Sequence, residues 1–377
     1  MFLWNVIICI ISKEGFFLKK LAVLSLIAVT MLTVGLGGNA SANVGDQNKA
    51  DIEKSLQGFV KHAFQKKNDR YLSDVQTTLG SEFSMDVIKK YQKDLAQDLK
   101  GLKDAGLKYK KQNTELSFNK VELNGNLAVV EVGELVKYYL QSVSNPSDTS
   151  IPEFTVDQET HQIVLEKDSE GNWVIVADEV LNGSKSAPVT MKALEKAREK
   201  KPSYVGKVDH PVENNAVIAP ELYWDGIAAA NYARQYAINY NWNYRSFSQD
   251  CTNFVSQAEK KGGLPYVDGW YQDELAWWYN DTTQTYTWVN AEDHYWLLSY
   301  TDRGSYTSST SNLRLGDVIQ IDFTSDGVVD HTTIVTAIDA SGNIYISQHT
   351  SNSLDKPLSL IKSNYPSGTF YFWKMAR

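Results

Sequence analysis

The chain has 377 residues, 12% of them aromatic and ten of them tryptophan, with a formal net charge of −8. That length accommodates two domains of ordinary size, each able to bury a core without metals or crosslinks. The acidic balance excludes a general electrostatic attraction to nucleic acid or to an anionic surface, so no nucleic-acid partner is expected.

Residues 1–42 read as an export leader. Lys19 and Lys20 precede an apolar run from Leu21 to Gly38, and Ala40-Ser41-Ala42 supplies the small-x-small pattern of a signal-peptidase site. The run is at the lower limit for a membrane span. Gly35, Gly37 and Gly38 ahead of the cleavage pattern favour processing, so no stable membrane insertion is expected once the leader is cut near Asn43. Cleavage removes Lys13, Lys19, Lys20 and Glu14, taking the net charge to about −10, and it also removes Cys9. Cys251 is then the lone thiol of an exported protein, which excludes an intramolecular disulfide and leaves it buried, paired with another chain, or reactive.

From Asn48 to about Lys110 the periodicity is helical, with Ile52, Leu56, Phe59, Val60, Ala63 and Phe64 at three- and four-residue spacing and Val87, Tyr91, Leu95 and Leu99 repeating it. Between Thr114 and Leu181 the period shortens to two, and "TELSFNKVEL", "LAVVEVGELVKYYL", "HQIVLEKD" and "NWVIVADEV" read as strands, with turns at Asn124-Gly125 and Glu170-Gly171-Asn172. Helices followed by an antiparallel sheet predict a smaller α+β domain over residues 43–182. Its element order resembles the nuclear-transport-factor-like fold. The pattern holds no cluster of His, Cys or paired carboxylates that suggests chemistry, and a binding or spacing role is expected. Residues 183–221, rich in Lys, Pro, Ser and Asn, read as linker.

A second α+β domain is expected over residues 222–377. "GIAAANYARQYAINY" is a helical run, and another helix begins at or just before Cys251. An aromatic, loop-like region with Trp270, Trp277, Trp278, Trp288 and Trp296 follows. The strands "DVIQIDF", "HTTIVTAI", "NIYISQH" and "GTFYFWKM" close the chain, with Gly342-Asn343 turning the middle pair.

Cys251, Phe254, Val255 and Ala258 share one helical face, and Ser248 or Asp250 suits the N-cap. The thiol then lies in the first turn, where unpaired N–H groups and the helix dipole stabilise a thiolate or a developing oxyanion. A small buried hydrophobe is the competing reading of that cysteine. A thiolate needs a base, and among six histidines His331 opens one strand while His349 ends the next, across one hairpin. The assignment that follows has Cys251 attacking, His331 carrying the proton and a polar side chain orienting the imidazole: His349 first, with Gln348 and Asp330 behind it. Trp270, Trp277 and Trp278 are the candidate substrate-binding side chains, because three successive residues from Trp277 to Tyr279 do not all point inward from a regular element. Gly316-Asp317 reads as a structural turn.

"DCTNFVSQ", then "GG", a Trp-rich stretch, "LRLGDVIQIDF", "HTTIVTAI" and "ISQHT" together resemble the family known as the putative amidase domain, related to NlpC-type and CHAP cell-wall hydrolases and more distantly to papain. The resemblance covers about Leu222 to the C-terminus. It implies a papain-like α+β fold with the nucleophile helix packed on an antiparallel sheet, Cys251 as nucleophile, His331 as base, His349 in the third polar position, and no cofactor. By it the substrate is an amide of peptidoglycan peptides, and the protein is secreted or associated with the cell wall. The long aromatic insertion departs from the family pattern. Two rival readings remain open: a non-catalytic wall- or glycan-binding protein using the tryptophans, and a zinc site from Cys251, His331 and His349. The absence of a His-Glu-x-x-His helix or a second mature cysteine argues against the zinc site, and no metal is expected.

Overall fold

The computed structural model describes residues 42–72, 77–181 and 222–376, with side chains described from Lys49 onward. Most of the expected leader, with Cys9, and the linker lie outside the described residues.

Helix α1 (Ala42–Asp69) and helix α2 (Met85–Asp104) carry the first apolar stripes. Ser84 caps α2 by accepting from the Val87 N–H, and Asp86 sits in its first turn, where the helix dipole favours an anion. Strands β1 (Leu107–Asn124), β2 (Leu127–Ser142), β3 (Phe154–Lys167) and β4 (Trp173–Leu181) follow as an antiparallel meander. Burial along β2 alternates residue by residue, as a strand with one face on the core requires. Gly125, at positive φ, turns β1 into β2. Leu56, Val60 and Phe64 of α1 pack with Val87 and Tyr91 of α2 against Val130, Val132, Ile163 and Leu165 of the sheet.

The C-terminal elements are α3 (Gly226–Tyr236), α4 (Cys251–Lys261), α5 (Tyr286–Val289), α6 (Ala291–Tyr300), β5 (Gly304–Thr307), β6 (Val318–Asp322), β7 (His331–Ile338), β8 (Ile344–Gln348), β9 (Asn352–Pro357), α7 (Leu358–Asn364) and β10 (Thr369–Met375). Helices α3 and α4 pack on β7, with Ala233, Phe254, Val255 and Ala258 meeting Val318, Ile334 and Trp373 in one core. The chain is thus α+β, with an antiparallel sheet and helices.

Five elements escaped the sequence pattern: α5 and α6, which fold within the stretch read as an aromatic loop, and β5, β9 and α7. The six residues of β9, "NSLDKP", are too short and too polar to signal a strand, yet they join the two sets of strands. Val156, Asp157 and Gln158 of β3 pair with Leu354, Ser353 and Asn352 of β9, so among the described residues ten strands form one sheet in the order β1-β2-β3-β9-β8-β7-β6-β10-β5, with β4 also on β3. Ser353 Oγ and Lys356 Nζ both reach Asp157 Oδ1, at 2.7 and 3.1 Å. Across α2 and α7, Ser363 Oγ donates to Gln97 O and Asn364 Nδ2 to Asp98 Oδ1. Gly101 is required there: a Cβ on it would stand 2.7 Å from Leu360 Cα.

Candidate active site

Helix α4 starts at Cys251 itself. Asp250 occupies the N-cap position but makes no side-chain cap bond. Its Oδ1 accepts from Phe247 N and Asn253 Nδ2, both at 2.9 Å, and its Oδ2 lies 2.6 Å from His349 Nδ1. The His349 ring is sandwiched between Tyr240 and Phe254, each centroid 4.1 Å away, and its Nε2 lies 2.8 Å from Tyr236 O. Both ring nitrogens of His349 therefore face acceptors, and neither is left to orient His331 or to bind a metal. His349 anchors the turn that presents the nucleophile.

The partner of His331 is Gln348. Gln348 Nε2 donates to Ser351 O at 3.2 Å, which turns Oε1 toward His331 Nε2 at 3.0 Å. Nε2 then carries the hydrogen, and Nδ1 is the ring nitrogen left for the thiol. His331 and Cys251 are nearly buried, at 5% and 6% exposure, and close enough for each to shift the titration of the other. Strand parity explains the exchange of roles: Ile334 pairs with Ser347, so Gln348 falls on the face of Thr333 and His331, and His349 falls on the opposite face with Thr332, against α4. Asp330 accepts from Phe323 N through Oδ2, holding the β6–β7 loop and placing a negative charge near His331. Phe323 lies 5.7 Å from the His331 ring, roughly parallel to it.

Burial by itself pushes the Cys251 thiol up, but attraction to His331, hydrogen bonds from His331 and the Thr332 N–H, and the Thr252 hydroxyl bring it below its ordinary value. Burial likewise pulls His331 down, and the charge and hydrogen bond of Cys251, with the bonds to Gln348 and the field of Asp330, raise it above the ordinary histidine. Opposite shifts on the two partners favour a thiolate–imidazolium pair, the reactive form of a catalytic cysteine.

The three candidate tryptophans separate. Trp277 is fully buried, donates from Nε1 to Ser256 Oγ at 3.2 Å and stacks between Trp288 and the Arg303 guanidinium. It belongs to the core and is no substrate contact: the backbone pairing of Trp277 with Val267 turns it inward, a loop ladder that periodicity does not foresee. Trp278 is partly exposed, with Nε1 bound to Gly269 O, and Trp270 is 67% exposed beside Tyr271. Asp317 is structural, accepting from Arg314 N and Met375 N.

The N-terminal strands do hold a polar cluster, contrary to expectation. His161 on β3 bonds Asp178 Oδ1 at 2.7 Å and Glu134 Oε2 at 3.1 Å; Lys67 Nζ and Asn68 Nδ2 of α1 reach Glu134 at 2.8 Å, and Tyr91 OH reaches Asp178. Burial pulls His161 down, but the two carboxylates outweigh it and raise it to about 9. Burial pushes Glu134 up, and Lys67 with His161 take it down to about 2. Lys67 and His161 thus face Glu134 and Asp178, with a third carboxylate, Glu159, 3.8 Å from His161 Nε2. The members of this cluster come from five elements, and the strand pattern carries only the diagonals of His161 with Glu134 across β2 and β3 and with Asp178 across β3 and β4.

Residues 224–373 match the family model described as "Putative amidase domain". Uncharacterized protein YjcM of Bacillus subtilis (strain 168) is 37% identical over 151 residues, covering 37% of this chain and 34% of that protein. Uncharacterized protein YhbB of the same organism is 34% identical over 135 residues, covering 35% of this chain and 43% of that protein. The chain thus spans less than half the length of these relatives. Among solved structures, the intermembrane space region of chloroplast protein ARC6 aligns with 34% of this chain and 94% of its own length, at 18% identity and a TM-score of 0.25.

Proposed function

We propose that the amidase-matched region, residues 224–373, is a papain-like cysteine hydrolase that cleaves amide bonds through Cys251, His331 and Gln348. The observation that carries this reading is the nearly buried, electrostatically coupled Cys251–His331 pair at the amino end of α4, with Gln348 holding the imidazole from behind. His331 Nδ1 takes the thiol proton, and the sulfur adds to the carbonyl carbon. N–H groups of the first turn of α4 stand at the positive end of the helix, where the oxyanion develops. The C–N bond breaks as His331 returns its proton to the leaving amine, giving a thioester. Water, deprotonated by His331, hydrolyses the thioester to a carboxylic acid and frees the thiol.

The proposed substrate is an amide of peptidoglycan, in stem peptides or cross-bridges, met outside the cell after cleavage of the leader. Its support is the family resemblance together with the export pattern of residues 1–42. The test is digestion of purified peptidoglycan with products identified by mass. Wild type should release new amine ends; Cys251→Ala and His331→Ala should release none while keeping the wild-type melting profile. Product from folded Cys251→Ala would refute the reading, and wall binding without cleavage by wild type would favour a non-catalytic binder.

A further inference from the structure

A line of fully buried polar side chains leads from the nucleophile into the core, and one residue sets its direction. The Trp373 indole can only donate, and Nε1 lies 2.9 Å from Gln320 Oε1. The Gln320 amide is thereby oriented, and its NH2 faces Ala291 O at 3.0 Å, His294 Nδ1 at 3.3 Å and Thr332 Oγ1 at 3.4 Å. Thr332 stands directly opposite Gln320 in the β6–β7 pairing. That NH2 has two hydrogens for three acceptors and cannot itself accept, so the Thr332 hydroxyl finds no acceptor there and directs its hydrogen to Thr252 Oγ1, 3.0 Å away. The Thr252 hydroxyl, 3.7 Å from Cys251 Sγ, is then left to donate to the sulfur. Gln320, Thr332 and Thr252 are each 0% exposed.

We propose that Trp373, Gln320, Thr332 and Thr252 form a one-way hydrogen-bond chain that delivers an O–H to Cys251 Sγ, making Gln320, Thr332 and Thr252 positioning residues for the nucleophile. This rests on the reading of Cys251 as the attacking group. Aligned donors polarise one another in a dry interior, and a hydroxyl bonds a thiolate more strongly than a thiol. The titratable groups facing the sulfur are His331 from β7, with Asp330 beside it; at the far end stand His294 on α6, Glu259 on α4 and Arg303.

The test needs no amide substrate. Iodoacetamide alkylation of Cys251 in the full chain, followed across pH and localised by peptide mass, reports the fraction of thiolate. Thr332→Val keeps the shape and removes the hydroxyl. It should lower the alkylation rate about tenfold below the midpoint, leave the high-pH plateau unchanged, and be rescued by Thr332→Ser. If Thr332→Val does not fold, Thr252→Ala and Gln320→Met carry the same expectation. A folded variant with the wild-type midpoint, or a rate lowered equally at every pH, overturns the chain. Peptidoglycan digestion, run in parallel, separates the two ideas: a midpoint that responds to Thr332→Val in a protein that releases no product leaves the chain standing and removes the hydrolase.

Discussion

Replacing Gln348 by Leu tests which residue orients the base. His331 is 5% exposed, and its Nε2 has Gln348 Oε1 as its acceptor at 3.0 Å. Removing that acceptor leaves a buried N–H without a partner, about 1–3 kcal/mol, which becomes roughly 5- to 150-fold in kcat/KM if the whole loss falls on the charged imidazole of the transition state. The pH dependence carries a sign as well. His331 is held above its ordinary value partly by this bond, and the thiolate–imidazolium pair persists only until His331 loses its proton. Weakening the bond lowers that limit, so the alkaline limb of kcat/KM moves to lower pH while the acid limb, set by Cys251, stays near its place. The companion variant His349→Ala strips a buried carboxylate, Asp250, of a partner and should act on stability and overall rate without moving the alkaline limb. Amide hydrolysis followed across pH, with unfolding measured on the same samples, reads both. The reasoning is refuted if folded Gln348→Leu keeps the wild-type alkaline limb and His349→Ala shifts it.

Trp277→Ala should destabilise by about 3–5 kcal/mol through lost burial and a cavity, whereas Trp270→Ala, at a largely exposed ring, should stay within about 0.5 kcal/mol of wild type in a denaturant titration. In the N-terminal cluster, His161 is raised from 6.5 to about 9, so its stabilisation is complete below pH 6.5 and lost as pH rises toward 9. Glu134, lowered from 4.5 to about 2, contributes above pH 4.5 and loses its part as pH falls toward 2. The coupled network is worth about 3 kcal/mol, and urea unfolding should be hardest between those limits; His161→Gln should flatten the alkaline side, and an unchanged slope there would contradict the assignment. Gly101→Ala should cost about 1–3 kcal/mol in thermal unfolding, because its methyl would stand 2.7 Å from Leu360 Cα and 2.8 Å from Ser359 O, backbone atoms that cannot turn aside.

Local pattern determined a good deal about this protein. The apolar spacing around Cys251 set it on the buried face at the start of a helix, the β-branched runs marked β6, β7, β8 and β10, and the position of His331 at the head of a strand was legible from Asp330 and the turn before it. What periodicity does not encode is a register shift. Counting back from the pair Ile338 and Ile344 without interruption would set His349 opposite Thr333, on the face of His331. A bulge at Thr336 moves the register by one, so Ser347 meets Ile334, Gln348 takes the place beside His331, and His349 turns to the other face to hold Asp250. Because side chains alternate faces along a strand, one extra residue exchanges the roles of two neighbours. The joining of β3 to β9 and the cluster around His161 have the same origin: they depend on contacts between residues far apart in the chain, whose partners are chosen by packing and not by local spacing.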